Sequence, residues 1–289
     1  MAASMAMPLL VALVIVAFTT SAHRRLPPPV AARFVTIALV LIAIAAIPTA
    51  FVVALAFLAH APVVGFGFEW CAQVIGLHGS IPVWIGLPTI ALIAVGAVRT
   101  IQLLRQHRQL RLDEARPIHI ADSNKPYAVT LPGRAGQIVI STAMVDLLDE
   151  AEQRIVVAHE RAHARYRHDR YLLVAELVAA AMPPLRTLAK RVTYSIERWA
   201  DEAAAAMCGN RQLVAITLGK VALQTSPPTV AGFSGLGVAS RMSALLEPPV
   251  PTPHRGLLVG LWSSLAVTAG FSIYQLHHLE LLLTALCPH

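Results

Sequence analysis

Four stretches of this chain carry no charged residue, and they constrain the fold more than any other feature. They cover residues 1–22, 34–59, 81–98 and 256–276. A helix needs roughly 20 predominantly apolar residues to cross the bilayer core. The stretches therefore predict four transmembrane helices, the third reaching that length by running on past Arg99. Only 13% of the residues are charged, about half the share of an ordinary water-soluble domain, which also favours an integral membrane protein.

Arginine is distributed unevenly between the loops, and this predicts the orientation. Residues 23–33 hold three arginines and residues 99–116 hold five, whereas residues 60–80 hold neither Lys nor Arg. Loops rich in Lys and Arg stay in the cytoplasm, so we expect both termini outside. No charge precedes Arg24, which favours a signal-anchor over a cleaved signal peptide for the first stretch. The excess of arginine over lysine, twenty to three, hints at a GC-rich bacterial genome and thus a multi-pass protein of the bacterial plasma membrane.

The spans divide the chain into three predicted regions. Residues 1–104 form a membrane region with three helices, residues 105–254 a cytoplasmic domain, and residues 255–289 the last span with a short outer tail. The net charge of +7 is assigned to the membrane topology, because no basic stripe with interleaved aromatics indicates a nucleic-acid partner. Three cysteines do not form a disulfide framework. A bridge between Cys71 and Cys287, both predicted to lie outside, is a hypothesis.

The pattern between residues 105 and 254 predicts a short strand followed by helices. Residues 137–140 read as a strand that could pair with an extended substrate, and a short helix is expected from Ser141 or Thr142. Asp149 and Glu152 have the spacing of a capping box at the start of the next helix.

Three further segments complete this region. Residues 171–185 are apolar but too short for a span, so they predict a buried or membrane-skimming helix. Another helix is expected around 192–207. Residues 225–254 are rich in Pro, Gly and Ser and predict a loop around one short helix near Arg241.

The strongest chemical signal is the pentapeptide His159-Glu160-Arg161-Ala162-His163. On a helix, positions i and i+4 project to the same side, so the two imidazoles can bind one metal ion. Glu160 can then reach a coordinated water without being a ligand. This is the physical content of the HExxH zinc peptidase motif, and it predicts His159 and His163 as Zn²⁺ ligands and Glu160 as the general base. The alternative is a polar helix face that holds two histidines without a metal.

Catalytic zinc takes three protein ligands and keeps a position for water, and Glu197 is our preferred third ligand. It lies on the helix predicted around 192–207, with Asp201 on the same face four residues later. Asp201 could then hydrogen-bond a ligating histidine, as carboxylates behind metal sites commonly do.

Two other third ligands stay open at this point. Asp169 occupies the position of the third ligand in the metzincin layout, but that layout has a turn-forming glycine where this chain has Tyr166, so the helix is expected to continue there. Glu176 is an acid in an apolar segment, where a structural carboxylate fits equally well. His168 is interpreted as a solvated histidine or as a hydrogen-bond partner of a ligand, rather than as a ligand.

Several segments together resemble the membrane gluzincins. They are residues 127–134 (YAVTLPGR), residues 137–144 (QIVISTAM), residues 147–150 (LLDE), the HERAH pentapeptide and the later Glu197-x-x-x-Asp201. The order of the spans is similar to the BlaR/MecR branch rather than to the HtpX and CAAX-prenyl-protease branch. Residues 240–246 (SRMSALL), before the last span, are also similar to that branch.

The resemblance implies a mainly α integral membrane protein whose cytoplasmic α+β gluzincin-type zinc peptidase domain has a small edge sheet. It implies Zn²⁺ held by His159, His163 and Glu197, with Glu160 as the base and Asp201 behind a ligand. In the BlaR/MecR branch the peptidase cleaves itself or a cytoplasmic transcriptional repressor, so a protein substrate of that kind is implied here. The chain contains no S-x-x-K acylation motif and no penicillin-binding sensor domain, so direct antibiotic sensing is not expected.

Two other functions remain as alternatives. One is membrane-protein quality control of the HtpX type. The other is a non-catalytic membrane signal transducer that retains the zinc fold, against which the intact Glu160 argues, because a structural metal site needs no general base. The oligomeric state stays open, with a homodimer as one option.

Overall fold

The structure is a computed structural model, and it describes residues 25–59, 81–109, 118–131, 136–225 and 234–286. The first predicted span, residues 1–22, lies outside these ranges, as do Cys71 and Cys287. The described residues are mostly helical, with one small sheet.

In chain order the elements are α1 (Pro28–Ala59), α2 (Val83–Gln109), β1 (Ile118–Ala121), β2 (Ala128–Thr130), β3 (Ile138–Ser141), α3 (Thr142–Leu147), α4 (Glu150–Arg165), α5 (His168–Ala181), a 3₁₀ turn (Pro183–Leu185), α6 (Arg186–Cys208), α7 (Arg211–Thr225), α8 (Ser234–Leu246) and α9 (Arg255–Leu286).

Three of these helices are long and apolar enough to cross a membrane. The apolar parts run over Pro28–Leu55 in α1, Val83–His107 in α2 and Arg255–Tyr274 in α9. Helix α2 carries exposed apolar side chains along its length, among them Trp84 and Val98. Because such a surface is unfavourable in water, the three helices indicate membrane association.

Helix α1 is the best packed of the three apolar helices. In its most apolar window 39% of the residues are buried against the rest of the protein, compared with 6% for α2. Its buried residues Phe34, Val35 and Leu39 belong to one core cluster with Val192 and Ile196 of α6. This apolar helix therefore packs directly against a helix of the domain that follows it.

The sheet has three strands in the order β1-β3-β2. Strand β3 pairs in parallel with β1 and antiparallel with β2, and all four of its residues are buried. The strand predicted at 137–140 is therefore present, but its proposed pairing with substrate is wrong, because both of its edges are already hydrogen-bonded. Among the described residues β2 pairs with β3 alone, so β2 is the strand with an unpaired edge near α4.

Helix α4 begins and ends at defined local structures. Its start is the predicted capping box, in which Asp149 accepts from the Glu152 backbone and the Glu152 side chain accepts from the Asp149 backbone. Its end contradicts the expectation that the helix continues through Tyr166. Tyr166 caps α4, and Arg167 adopts a left-handed conformation with φ +54° before α5 begins at His168. The α4–α5 packing decides this turn, since nothing in the local sequence demands it.

Helix α5 covers most of the apolar segment predicted at 171–185, and it packs against α1, α2 and α6 with most of its residues half-buried. Its C-terminal end approaches α2 so closely that a Cβ at position 96 would collide with the carbonyl oxygen of Ala181. Gly96 therefore permits this contact. The turn from α5 to α6 consequently lies beside the apolar part of α2, which fits the interpretation of a helix embedded within the protein near the membrane.

Candidate metal centre

Helix α4 brings two imidazoles together, because His159 and His163 are one helical turn apart. Their Nε2 atoms lie 3.1 Å from each other. Both side chains are mostly buried, with exposed fractions of 17% and 12%. Two nitrogen lone pairs at this distance repel each other unless a proton or a metal ion lies between them.

Helix α6 adds a carboxylate to the pair. Oε2 of Glu197 lies 3.6 Å from Nε2 of His159, and Oε1 lies 3.6 Å from Nε2 of His163. Donors about 2.1 Å from a tetrahedral ion lie about 3.4 Å from one another. The two nitrogens are close to that spacing, and each lies 3.6 Å from a different oxygen of the Glu197 carboxylate; two imidazoles with a carboxylate are a common zinc donor set. These three residues could therefore hold a zinc ion.

Asp201 and Arg241 fix the orientation of this group from behind. Nδ1 of His159 lies 3.1 Å from Oδ1 of Asp201, so the Nδ1–H of His159 donates to Asp201 and Nε2 faces Glu197. Arg241 of α8 donates from Nε and Nη2 to the two oxygens of Asp201 at 2.8 and 2.7 Å. Its Nη1 lies 2.9 Å from Oε2 of Glu197. One guanidinium thus holds a candidate ligand together with the residue that orients another.

Glu160 is held by the edge strand of the sheet. The Thr130 hydroxyl on β2 lies 2.7 Å from Oε2 of Glu160 and 2.8 Å from its backbone carbonyl oxygen. The Glu160 side chain is buried, and it lines the same cleft as His159 and Glu197. Its carboxylate is therefore oriented beside the candidate metal position by a strand rather than by the helix alone.

His168 lies on the other side of His163. Their Nδ1 atoms are 3.1 Å apart, and His168 is completely buried. Of the two interpretations that the sequence allowed, the structure shows the hydrogen-bond partner and not the solvated histidine.

Charge is distributed unevenly over the group. Burial alone would lower the pKa of His159, but the hydrogen bonds and charges of Asp201 and Glu197 outweigh burial and raise this pKa from 6.5 to about 10. Burial would raise the pKa of Glu197, but His159 and Arg241 hold it well below 4.5. Burial and then the charge of His159 lower the pKa of His163. Without a metal, one proton on His159 therefore supplies the positive charge of the pair.

The two rival third ligands lie elsewhere. Asp169 pairs with Arg167, whose Nε is 3.3 Å from Oδ1 of Asp169. Glu176 pairs with His107 of α2 at 3.1 Å. Each carboxylate has a different partner, and neither belongs to the group that could hold a metal.

A cleft of about 980 Å³ opens beside the group. Glu160, His159 and Glu197 are among its polar lining residues, and β2 lines one side. The apolar part comes from α3, α4 and α7, with the side chains of Met144, Ile155, Val156, Val214, Leu218 and Val221. The arrangement can accommodate an extended chain next to the candidate metal position.

Two functional contacts were not anticipated from the sequence. Arg241 was noted only as part of a short helix, although its place in the SRMSALL segment was a usable signal. Thr130 lies in the YAVTLPGR segment that carries the resemblance, but its contact with Glu160 depends on the position of β2 beside α4 and could not be read from that segment.

Comparison with known proteins gives one match. Residues 101–186 match the model of Peptidase family M48. The matched part contains His159, Glu160 and His163 and ends before Glu197. No curated protein and no solved structure gave a match. The chain is thus similar over this part to the M48 peptidases, which supports a zinc metallopeptidase.

Proposed function

We propose that this protein is a membrane-embedded zinc endopeptidase that hydrolyses peptide bonds of a cytoplasmic or membrane protein. In this proposal His159, His163 and Glu197 bind Zn²⁺, Glu160 is the general base, and Asp201 orients His159. One observation carries it above all: two imidazole nitrogens and a carboxylate converge at distances suited to zinc, with Glu160 lining the same cleft.

When bound there, zinc would lower the pKa of a water molecule to about 7 and polarise the scissile carbonyl. Glu160 accepts a proton from the attacking water and later passes it to the leaving amine. The hydroxyl of Thr130 orients the Glu160 carboxylate for both transfers. Arg241 holds Glu197 and Asp201 in place through both steps.

The unpaired edge of β2 is the position at which an extended substrate would bind. Pairing of a peptide with a sheet edge uses main-chain hydrogen bonds, whereas side-chain pockets give specificity. Thr130 at the end of β2 contacts Glu160, so a peptide along β2 would pass directly beside the general base. The apolar wall from α7 would then favour an apolar side chain near the scissile bond.

For the regulatory role, we propose that the substrate is a transcriptional repressor or the protein itself, on the basis of the resemblance to the BlaR/MecR branch. Quality control of the HtpX type is the competing role. Digestion of a single cytoplasmic protein supports the first, and broad digestion of misfolded membrane proteins supports the second.

A cytoplasmic catalytic domain is also part of the proposal, and Cys208 tests it. This cysteine is exposed at the end of α6. With Cys71 and Cys287 replaced by serine, a membrane-impermeant maleimide should label Cys208 in inside-out vesicles but not in intact spheroplasts. Labelling only in spheroplasts would reverse the orientation.

The central test compares Glu160→Gln with wild type, both as the full chain in lipid nanodiscs. Zinc content should be unchanged, whereas cleavage of a protein substrate mixture should fall about 10²- to 10⁴-fold, the usual contribution of a general base. Glu150→Gln is the matched control, because Glu150 is an exposed carboxylate on the same helix. Equal cleavage by wild type and Glu160→Gln would refute the mechanism.

The third ligand is tested in the same preparation. Glu197→Ala should lose zinc, whereas Asp169→Ala should retain it. The reverse result would exclude Glu197 from the ligand set.

A further inference from the structure

His168 follows a residue with an unfavourable backbone conformation. It is the first residue of α5 and follows Arg167, whose left-handed conformation is rare for a residue with a side chain. The turn carries His168 into the protein, where its exposed fraction is 0%. Both the complete burial of this histidine and the left-handed turn before it cost free energy of folding.

One nitrogen of His168 contacts a candidate zinc ligand. Nδ1 of His168 lies 3.1 Å from Nδ1 of His163, while Nε2 of His163 points toward Glu197. An imidazole that offers Nε2 to a metal carries its proton on Nδ1, and that proton needs an acceptor. Nδ1 of His168 is in position to be this acceptor.

The other nitrogen of His168 is unsatisfied. Its Nε2 has no hydrogen-bond partner among the described residues. When Nδ1 of His168 accepts from His163, Nε2 must carry the proton of the neutral ring, so a buried donor is left without an acceptor. Buried unpaired donors are unfavourable, and a phenylalanine ring would fill the same space without this penalty.

An aromatic wall holds the ring of His168 in place. The ring lies 4.8 Å from the Trp199 ring and 5.9 Å from the Tyr166 ring, measured between centroids. Trp199 lies on α6 two residues after Glu197, and the guanidinium of Arg33 on α1 lies over it at 5.3 Å. The contact between the two histidines is therefore supported from α1 through Trp199.

We propose that His168 is a positioning residue for the metal centre: it accepts the Nδ1–H of His163 and thereby fixes the tautomer and ring orientation that present Nε2 to zinc. The proposal rests on the proposed function, since it assumes that His163 binds zinc. It explains why a polar ring is retained where the surroundings favour an apolar one. Partners of this kind behind a ligand typically change metal affinity 10- to 100-fold when removed.

The test uses the full chain in lipid nanodiscs and compares H168F and H168N with wild type. H168F keeps an aromatic ring against Trp199 but has no acceptor. H168N places an amide oxygen near the position of Nδ1 and restores the acceptor. Zinc affinity is measured by competition with a chromophoric chelator, and the geometry of the centre by the absorption spectrum of the Co²⁺-substituted protein.

We expect H168F to bind zinc 10- to 100-fold more weakly than wild type, with an altered Co²⁺ spectrum. H168F removes the unsatisfied Nε2–H of His168 but leaves the buried Nδ1–H of His163 without its acceptor, so its metal-free melting temperature should stay close to that of wild type. H168N should bind zinc within about threefold of wild type. A merely structural role for His168 would instead lower the melting temperature of the metal-free protein and leave the Co²⁺ spectrum unchanged.

Two controls keep the test decisive. Tyr171→Ala removes a ring that also packs on Trp199 and should leave zinc affinity unchanged. H168L replaces H168F if the latter does not fold, with the same expected loss. Wild-type affinity in H168F or H168L would overturn this proposal alone, whereas a wild-type chain that bound no zinc would overturn the proposed function with it.

Discussion

Helices α4 and α6 both carry candidate zinc ligands, but they are held by different parts of the protein. The buried side of α4 faces α6, the sheet and α7, with Ile155 in one cluster with Ala205 of α6 and Val214 of α7. The buried side of α6 places Leu188, Val192 and Ile196 in the core cluster of α1. The HExxH pair thus lies on a helix that packs on the sheet, α6 and α7, whereas Glu197 lies on a helix that also packs on the apolar helix α1.

The candidate centre therefore lies where α4 meets α6, the helix that packs against α1. Glu197 directly follows Ile196, which is fully buried in the cluster with α1. A shift of α1 would therefore act first on α6, and with it on one of the three donors, and would reach His159 and His163 only through the packing of α4 on α6. The predictions below test that contrast.

The largest effect is expected from separating the domain from the apolar helices. Residues 105–254 alone would expose the side of α6 that α1 covers, and large exposed apolar patches promote aggregation. We expect this fragment to aggregate or to bind no zinc, whereas the full chain in nanodiscs binds one ion. Size-exclusion chromatography with metal analysis provides the measurement. A monodisperse, zinc-binding fragment would show that α4 and its domain are sufficient.

Removing Arg241 should have the next largest effect, because this residue connects α8 to both carboxylates of α6. In Arg241→Ala the buried Asp201 and the neighbouring Glu197 lose the guanidinium and keep only the protonated His159 as a cationic partner, and breaking a buried pair in this way costs about 3–5 kcal/mol. The melting temperature of the metal-free protein should fall by at least about 6 °C. Arg241→Lys should recover only part of the loss, because an ammonium cannot make the bidentate contact. An unchanged melting temperature in Arg241→Ala would contradict the bridging role.

A smaller effect is expected from the proton on His159, and the raised pKa of His159 determines how zinc affinity changes with pH. The pKa of about 10 means that His159 is protonated at pH 7.5 without a metal, so zinc binding must displace about one proton. Zinc affinity should therefore fall as the pH decreases. The same proton stabilises the metal-free protein fully below about pH 6.5, and this contribution is lost as the pH rises toward 10.

Calorimetric zinc titrations in two buffers of different ionisation enthalpy count the released protons. Asp201→Ala removes a main cause of the raised pKa, although Glu197 still raises it, so fewer protons should be released at pH 7.5 than from wild type. An equal number in both proteins would mean that Asp201 does not control His159.

The smallest effect is expected on the outer face of α4. Arg154 and Glu150 form an exposed ion pair at 2.6 Å, with exposed fractions of 63% and 88%. Exposed pairs of this kind contribute little to stability. Arg154→Ala should leave zinc content unchanged and shift the melting temperature by no more than about 1 °C. A larger shift would indicate that this face of α4 has a partner of its own.

Several local features were predictable from the sequence. The capping box at Asp149 and Glu152, the strand around 138–141 and the helices that became α5, α6 and α8 follow from residue spacing and composition. Local patterns also placed His159 beside His163, because the helical period fixes that geometry. The end of α4 was missed, since Arg167 adopts an unfavourable conformation that only the packing of His168 and Tyr166 against Trp199 explains.

Contacts between distant segments were harder to predict from the sequence. Thr130 reaches Glu160 across 30 residues and Arg241 reaches Asp201 across 40. Neither chain separation corresponds to the repeat of a helix or a strand. Each contact depends on how whole secondary-structure elements pack against one another. The strand predicted to pair with substrate proved to be the central one for the same reason, because strand order cannot be read from the residue pattern of a single strand.

The sequence by itself determined the apolar helices, the HExxH helix and the chemical types of the candidate ligands, because hydrophobic length and helical period are local properties. The tertiary structure decided which carboxylate joins the two histidines, which strand presents an edge, and that α1 supports α6. Those outcomes depend on the burial of apolar faces against one another over long chain separations. The candidate metal-binding residues are thus predictable from local pattern, whereas the position of the third candidate donor depends on how α6 packs against α1 and α4 and on its contact with Arg241.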